Sequence, residues 1–295
     1  MVGISLWHAH HLCIAPVAGT CAVYQSWVNF HAANAANTAF PGYAVVKPFT
    51  KVCGEDVMAT LKAIARNDQL LWVALSYLLY SVANVATTGV LFYQFKYVLG
   101  APNSFSIAGV IPVITGLVTT PLYPVLNRRI PRRWLYTAGM ALMIAGYTLF
   151  IIAPMNLPVV IVALVLFYLP AQTIQMTAIL SMTDSIEYGQ LKTGKRNEAV
   201  TLSVRPMLDK IAGALSNGIV GFVVVAAGMV GNATAADMTA ANIRTFKTCA
   251  YYLPLAGIVA SLVVFLLTVK IDENMHDRIV EQLEARLASE ETDKQ

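Results

Sequence analysis

From Leu70 onward the chain repeats one pattern, a stretch of apolar residues followed by a short polar break. Each stretch is about 20 residues long, the length that crosses a hydrocarbon core of roughly 30 Å at about 1.5 Å per helical residue. The pattern predicts six spans: Leu71–Lys96, Phe105–Leu126, Trp134–Ala153, Leu157–Ser181, Ala199–Val230 and Thr248–Val269. The alternating strands and regularly spaced turns of a transmembrane barrel are absent from the sequence. Beyond Ile271 the period changes. Met275, Ile279, Leu283 and Leu287 fall at four-residue spacing, which predicts a short amphipathic helix on the membrane surface or against the bundle.

Composition sharpens this picture. Of 295 residues, 57% are hydrophobic and only 12% are charged, too few ionic side chains for a water-facing surface. The net charge of +4 is too small and too unevenly placed for a phosphate-tracking surface, so no nucleic-acid partner is expected; the lipid bilayer is. No HExxH, no GxSxG and no aspartyl pair within a span points to an enzyme.

The cations fall in alternate breaks. Lys62 and Arg66 precede the first span, and Arg128, Arg129, Arg132 and Arg133 join the second to the third. Lys192, Lys195 and Arg196 join the fourth to the fifth, and Lys270, Arg278 and Arg286 follow the last. Breaks of opposite parity carry little charge, so the positive-inside rule places the cation-bearing breaks and the C-terminus in the cytoplasm. The expected topology is a membrane crossed six times. Two flanking spans explain the RRIPRR run better than a nuclear signal does.

The beginning differs from the rest. Met1–Val46 contains no Asp, Glu, Lys or Arg, yet holds His8, His10, His11, His31, Cys13 and Cys21. Their spacing fits no closed metal-ligand set. A span from Leu12 to about Ala32 is weakened by Pro16, Gly19, Gln25 and Asn29. The abrupt change is what a start inside a longer gene, or a shifted reading frame, would produce. The expected organisation is an atypical segment over 1–54, a six-span bundle over 55–270 and a cytoplasmic tail over 271–295.

Charges within spans are the candidate chemistry. Arg205, Asp209 and Lys210 lie in the fifth span, with Asp209 and Lys210 roughly 15 Å from its start and near the bilayer centre. Such residues normally face a bundle interior or a water-filled path. Arg205 and Asp209 are four apart and can pair; Lys210 is rotated by about 100° and needs another partner. Pro206 favours a kink beside them. A buried structural ion pair and the lining of a path for a hydrophilic substrate both fit. In the fourth span Gln172 and Gln175 share a face, and their amides both donate and accept, as sugar hydroxyls require. Interhelical bonding fits them too. Tyr80 and Asn84 in the first span are equally ambiguous. The Thr183–Glu198 segment, read as a cytoplasmic loop, mixes acids and bases that can form alternative salt-bridge sets, one way to latch a gate.

The run from Ser181 to Gly221 carries SIEYGQLKTGKRNE and then TLSVRPMLDK. It resembles the glycoside–pentoside–hexuronide:cation symporters of the major facilitator fold, and most of all the lactose/galactoside/raffinose permeases of Gram-positive bacteria. Asp184, Tyr188, Gly189, Gly194, Arg196 and Glu198 meet the family pattern. The resemblance covers about Val57 to Leu287, the family's C-terminal half. It implies an all-α polytopic membrane bundle: the C-terminal six-helix half of a major-facilitator transporter. It further implies uptake of a galactoside of the lactose, melibiose or raffinose type with a coupled cation, H⁺ or Na⁺, by alternating access and with no other cofactor.

On the same resemblance, Gln172, Gln175, Arg205, Asp209 and Lys210 would line or tune the sugar site. Lys210 falls on the family's eleventh-span lysine, and Gln175 falls where the melibiose branch has an aromatic residue. Asp184, Glu187, Tyr188, Lys195, Arg196 and Glu198 would form the cytoplasmic gate. Nothing in Met1–Lys51 matches the acids of the family's other half, so a missing N-terminal half or a second copy of the chain is the expected partner. The alternative from another class is a membrane sugar sensor, or a non-transporting subunit of an intact permease.

Overall fold

The computed structural model describes residues 65–152, 156–194, 198–231, 234–270 and 273–292. The expectations for residues 1–54 fall outside them, as do Lys195 and Arg196. The described residues belong to one compact unit, Leu61–Gln295.

Six helices among the described residues are long and apolar enough to cross a membrane, as the sequence predicts. The first is α1, Asp68–Tyr93, which continues through a π-helical turn over Gln94–Val98. Asn67 caps it by accepting the Leu70 N–H at 3.1 Å. A 3₁₀ turn, Pro102–Phe105, leads into α2, Ser106–Asn127. Then come α3, Arg132–Ile152, and α4, Leu157–Thr193. The fifth span is α5, Glu198–Ala226, which runs unbroken through Pro206. The sixth is assembled from α6 (Ala240–Lys247), a π turn (Thr248–Tyr252) and α7 (Leu253–Thr268). The tail forms α8, Glu273–Thr292.

Two boundaries correct the sequence reading. The fourth helix does not end near Ser181: it is 37 residues long, so most of the segment read as a loop is helix. At about 1.5 Å per residue it is roughly 55 Å long and overshoots the hydrocarbon core by several turns. Hydropathy marks where lipid contact stops, not where helical backbone stops. The break comes at Gly194, whose φ of +71° is the left-handed conformation glycine adopts without strain. The last span also begins eight residues early, at Ala240 rather than Thr248, because the polar helix α6 continues it.

The spans differ in how much of them is covered. α1 packs between α5 and α7, while α4 packs between α2 and α3. α1 and α4 meet, and α3 reaches α7. Within its membrane-length stretch α1 is 56% buried, whereas α2 and α5 are 22% and 28% buried. Those two helices therefore present the largest uncovered faces. Between them the core is closed by Tyr77, Met140, Met143, Tyr147, Phe167 and Tyr251. A hydroxyl triangle ties α1, α3 and α7. Ser76 lies 2.9 Å from Tyr136 and 3.1 Å from Ser261, and Tyr136 and Ser261 are 3.0 Å apart.

Lipid offers no hydrophobic drive for helix association, so close approach through small residues matters. At Gly146 on α3 an added Cβ would meet the α4 backbone: Phe167 N at 3.2 Å and Ala163 O at 3.3 Å. Backbone cannot rotate out of the way. Gly146→Leu is expected to cost about 3 kcal/mol, the upper part of the range for overpacking. Gly116→Ala, whose Cβ would meet nothing nearer than the Gln172 amide at 4.0 Å, is expected to be silent. Thermal unfolding of the two variants in detergent checks both.

Candidate functional site

Two polar constellations stand out, one within the spans and one at the end of the bundle where α1 begins. The first is built on α1, α4 and α5. Asp209 is eleven residues along α5 from Glu198, and Tyr77 is nine residues along α1 from Asp68, which puts both roughly 14–16 Å along their helices. There the Tyr77 hydroxyl donates to Asp209 Oδ1 at 2.6 Å. Arg205 Nε lies 3.9 Å from Asp209 Oδ2, so the four-residue pairing read from the sequence is present. That Nε is buried and makes no hydrogen bond, and the guanidinium also approaches the Tyr77 hydroxyl. Lys210 stands apart from this pair on the exposed side of α5.

Tyr80, one turn from Tyr77 with its ring centroid 6.1 Å away, reaches the other way and donates to Ala171 O on α4 at 3.1 Å. Ala171 precedes Gln172, so a tyrosine pair on α1 bridges the two helices that carry the candidate residues. Gln172 and Gln175 are half-buried. Among the described residues, no hydrogen bond joins either glutamine to Arg205, Asp209 or Lys210. The neighbouring threonines are spent on structure: Thr177 donates to Thr173 O at 2.8 Å and lies 3.1 Å from the Tyr123 hydroxyl of α2. Asn84, two turns from Tyr77, keeps a buried Oδ1 with no hydrogen bond. Tyr77 is the candidate residue that spacing missed. Its partner lies 132 positions away.

The second constellation uses the part of α4 that overshoots the membrane. Asp184, about nine-tenths buried, pairs with Arg132 at the start of α3, and His276 Nδ1 of α8 lies 4.0 Å from its other oxygen. One turn on, Tyr188 donates to Asp68 Oδ1 at 3.1 Å, and Lys192 pairs with the same carboxylate. Asn67 donates to Ser185 O at 2.7 Å, and it sits so close to Gly189 that a Cβ there would come within 2.7 Å of its Nδ2. The Tyr-Gly pair of the motif thus has a physical reason: the tyrosine bonds the end of α1 and the glycine lets that end approach. Glu187 is half-buried beside Asp184, and Glu198 is exposed at the start of α5. Arg132, Asp68 and His276 join this network although none was singled out for it, and Lys192 joins it from the mixed-charge segment. The sequence signalled Arg132 only as a topology marker.

Residues 55–273 match the family described as MFS/sugar transport protein. The chain is 51% identical over 232 residues to a lactose permease of Lactobacillus helveticus, covering 79% of this chain and 36% of that protein. It is 53% identical over 226 residues to a lactose permease of Leuconostoc lactis, covering 77% and 35%. Against a raffinose carrier protein of Pediococcus pentosaceus it is 40% identical over 228 residues, covering 77% and 36%. The six membrane-length helices and the family match define a multi-pass helical membrane protein. This chain belongs to the MFS/sugar transport protein family. It spans about a third of the length of the curated relatives it matches.

Proposed function

We propose that this chain forms one six-span wall of a galactoside carrier that takes up its sugar with a coupled cation, H⁺ or Na⁺, by alternating access in a bacterial plasma membrane. The observation that carries the reading is the cluster of Arg205, Asp209 and Tyr77 within the spans, in a chain that aligns with lactose permeases. Charge held there is costly, and its usual reason is a water-filled path. In this reading Lys210, Asp209 and Arg205 bind or tune the sugar and the cation. Gln172 and Gln175 exchange hydrogen bonds with sugar hydroxyls, and the Asn84 carbonyl oxygen is one more acceptor on the same wall. The uncovered faces of α2 and α5 then meet a second bundle, supplied by an N-terminal half or by a second copy of the chain. Two such bundles hold substrate at the midplane and rock about it.

The gate reading follows from the same geometry. The Asp184–Arg132 pair joins α3 to α4, and the Tyr188–Asp68–Lys192 set joins α1 to α4. With the C-terminus in the cytoplasm, as the charge distribution supports, these bonds hold the cytoplasmic ends together and break when the path opens inward. Lys195, Arg196, Glu187 and Glu198 are the further ions available to the alternative set.

The test is a chimera in which residues 55–273 replace the aligned segment of the Leuconostoc lactis lactose permease. Accumulation of labelled lactose against a gradient is expected, and Lys210→Ala in that chimera is expected to abolish it. A chimera that reaches the membrane and still accumulates lactose with Lys210→Ala would remove the assignment. Driving uptake with a sodium or a pH gradient separates the two coupling ions.

A further inference from the structure

The charged end of the bundle holds a cavity that the transport reading does not use. It is about 580 Å³ and opens to the surface between the overshooting end of α4 and the tail helix α8. That is the size of many small-ligand sites. Its apolar side is made by Leu191 of α4 with Met275 and Ile279 of α8. Ile279 is only 4% exposed, so α8 is seated against α4 and does not lie free on the surface. The amphipathic stripe in the tail therefore has its partner in the bundle.

The polar side is cationic. Among the described residues, Lys270 and Arg278 line the cavity, no carboxylate does, and neither cation carries an ion pair. Lys270 comes two residues after α7 ends. Its position is fixed: its backbone N–H donates to Gln69 Oε1 at 2.8 Å, and Gln69 Nε2 reaches Thr268 O at 3.4 Å. Two cations with no ion pair among the described residues, beside an apolar cleft, match a phosphate attached to an acyl chain. A basic pocket between helices at the cytoplasmic surface is suited to such headgroups.

We propose that this cleft binds an anionic phospholipid, with Lys270 and Arg278 on the phosphate and the Leu191–Met275–Ile279 side against the acyl chain. Tyr188 forms one wall of the cleft while its hydroxyl holds Asp68. An occupied cleft therefore braces the Tyr188–Asp68 contact, so the lipid favours the closed form of this end. Only this last step rests on the gate reading above; the binding itself does not.

The purified full chain in detergent is titrated with short-chain phosphatidylglycerol and, separately, phosphatidylcholine, with retained lipid read by native mass spectrometry. Phosphatidylglycerol is expected to bind roughly tenfold tighter or more, on the scale of two surface cations. Lys270→Gln/Arg278→Gln is expected to abolish that preference without moving the unfolding midpoint, and Arg128→Gln/Arg129→Gln, which neutralises two cations away from the cleft, is expected to keep it. Glycerol phosphate at equal concentration is expected not to displace the lipid. Equal binding of the two lipids, or a preference that survives Lys270→Gln/Arg278→Gln, overturns the site. Displacement by glycerol phosphate overturns the lipid assignment in favour of a soluble phosphate ester. None of these readouts requires sugar transport, so loss of the transport reading leaves the result interpretable.

Discussion

Asp184→Asn is expected to lower the stability of the folded bundle by about 3 kcal/mol, the low end of the cost of breaking a buried ion pair. Asp184 is 10% exposed and Arg132 21% exposed at their side chains. The substitution leaves a largely desolvated guanidinium facing an amide that cannot take its charge, and it strands the nearby His276 of α8 as well. The cost sits at the low end because Arg132 keeps a fifth of its surface open to water. Thermal unfolding of the purified chain reads the loss. Pairing the change with Arg132→Gln is expected to cost at least about 1 kcal/mol less than the sum of the single changes, the sign of a direct interaction. Additive losses would mean that Asp184 and Arg132 act separately and that no gate pair exists here. In a carrier the same change is expected to leave the charged end open and to uncouple sugar flux from the cation.

Asp209→Ala has the second large expected effect, and here structure and function separate. Asp209 accepts the Tyr77 hydroxyl and is the carboxylate nearest Arg205. Its loss leaves Arg205 and Lys210 as cations within the span, with Glu198 at the start of α5 the one acid left on it. Insertion scales put a central Arg or Lys at about 3 kcal/mol each, so poor membrane yield and a low unfolding midpoint are expected. The Arg205→Gln/Asp209→Asn pair removes both charges together and is expected to restore yield. Uptake by the lactose-permease chimera carrying that pair is expected to stay lost. Recovery of uptake along with yield would make the pair a structural lock and nothing more. Tyr77→Phe, which removes one hydrogen bond to a carboxylate, is expected to cost about 2 kcal/mol.

How much of this was legible depends on how far each contact reaches along the chain. The six spans were, because lipid contact demands a run of apolar residues whatever the neighbours do. The Arg205–Asp209 pair was legible too, since a four-residue separation on a helix is a spatial contact. The SIEYGQLKTGKRNE run carries the family resemblance by itself. The end of α4 was not visible: polar residues between Thr183 and Thr193 read as loop, but nothing there breaks a helix until Gly194. Packing α1 and α8 against that overshoot gives its polar residues partners, Asp68 for Tyr188 and His276 beside Asp184.

The sequence by itself determined that this is a six-span helical membrane protein, which ends carry the cations and where charge enters the bilayer. Each of those follows from local hydropathy and helical period. Only the tertiary structure decided that Tyr77 holds Asp209, that Arg132 is the partner of Asp184, and that the tail closes a cationic cleft beside Tyr188. The first two contacts join residues 132 and 52 positions apart, and the cleft joins α4 to a helix beyond two further spans. Periodicity places a residue on a face of its own helix. Which other helix covers that face is settled by packing among all of them.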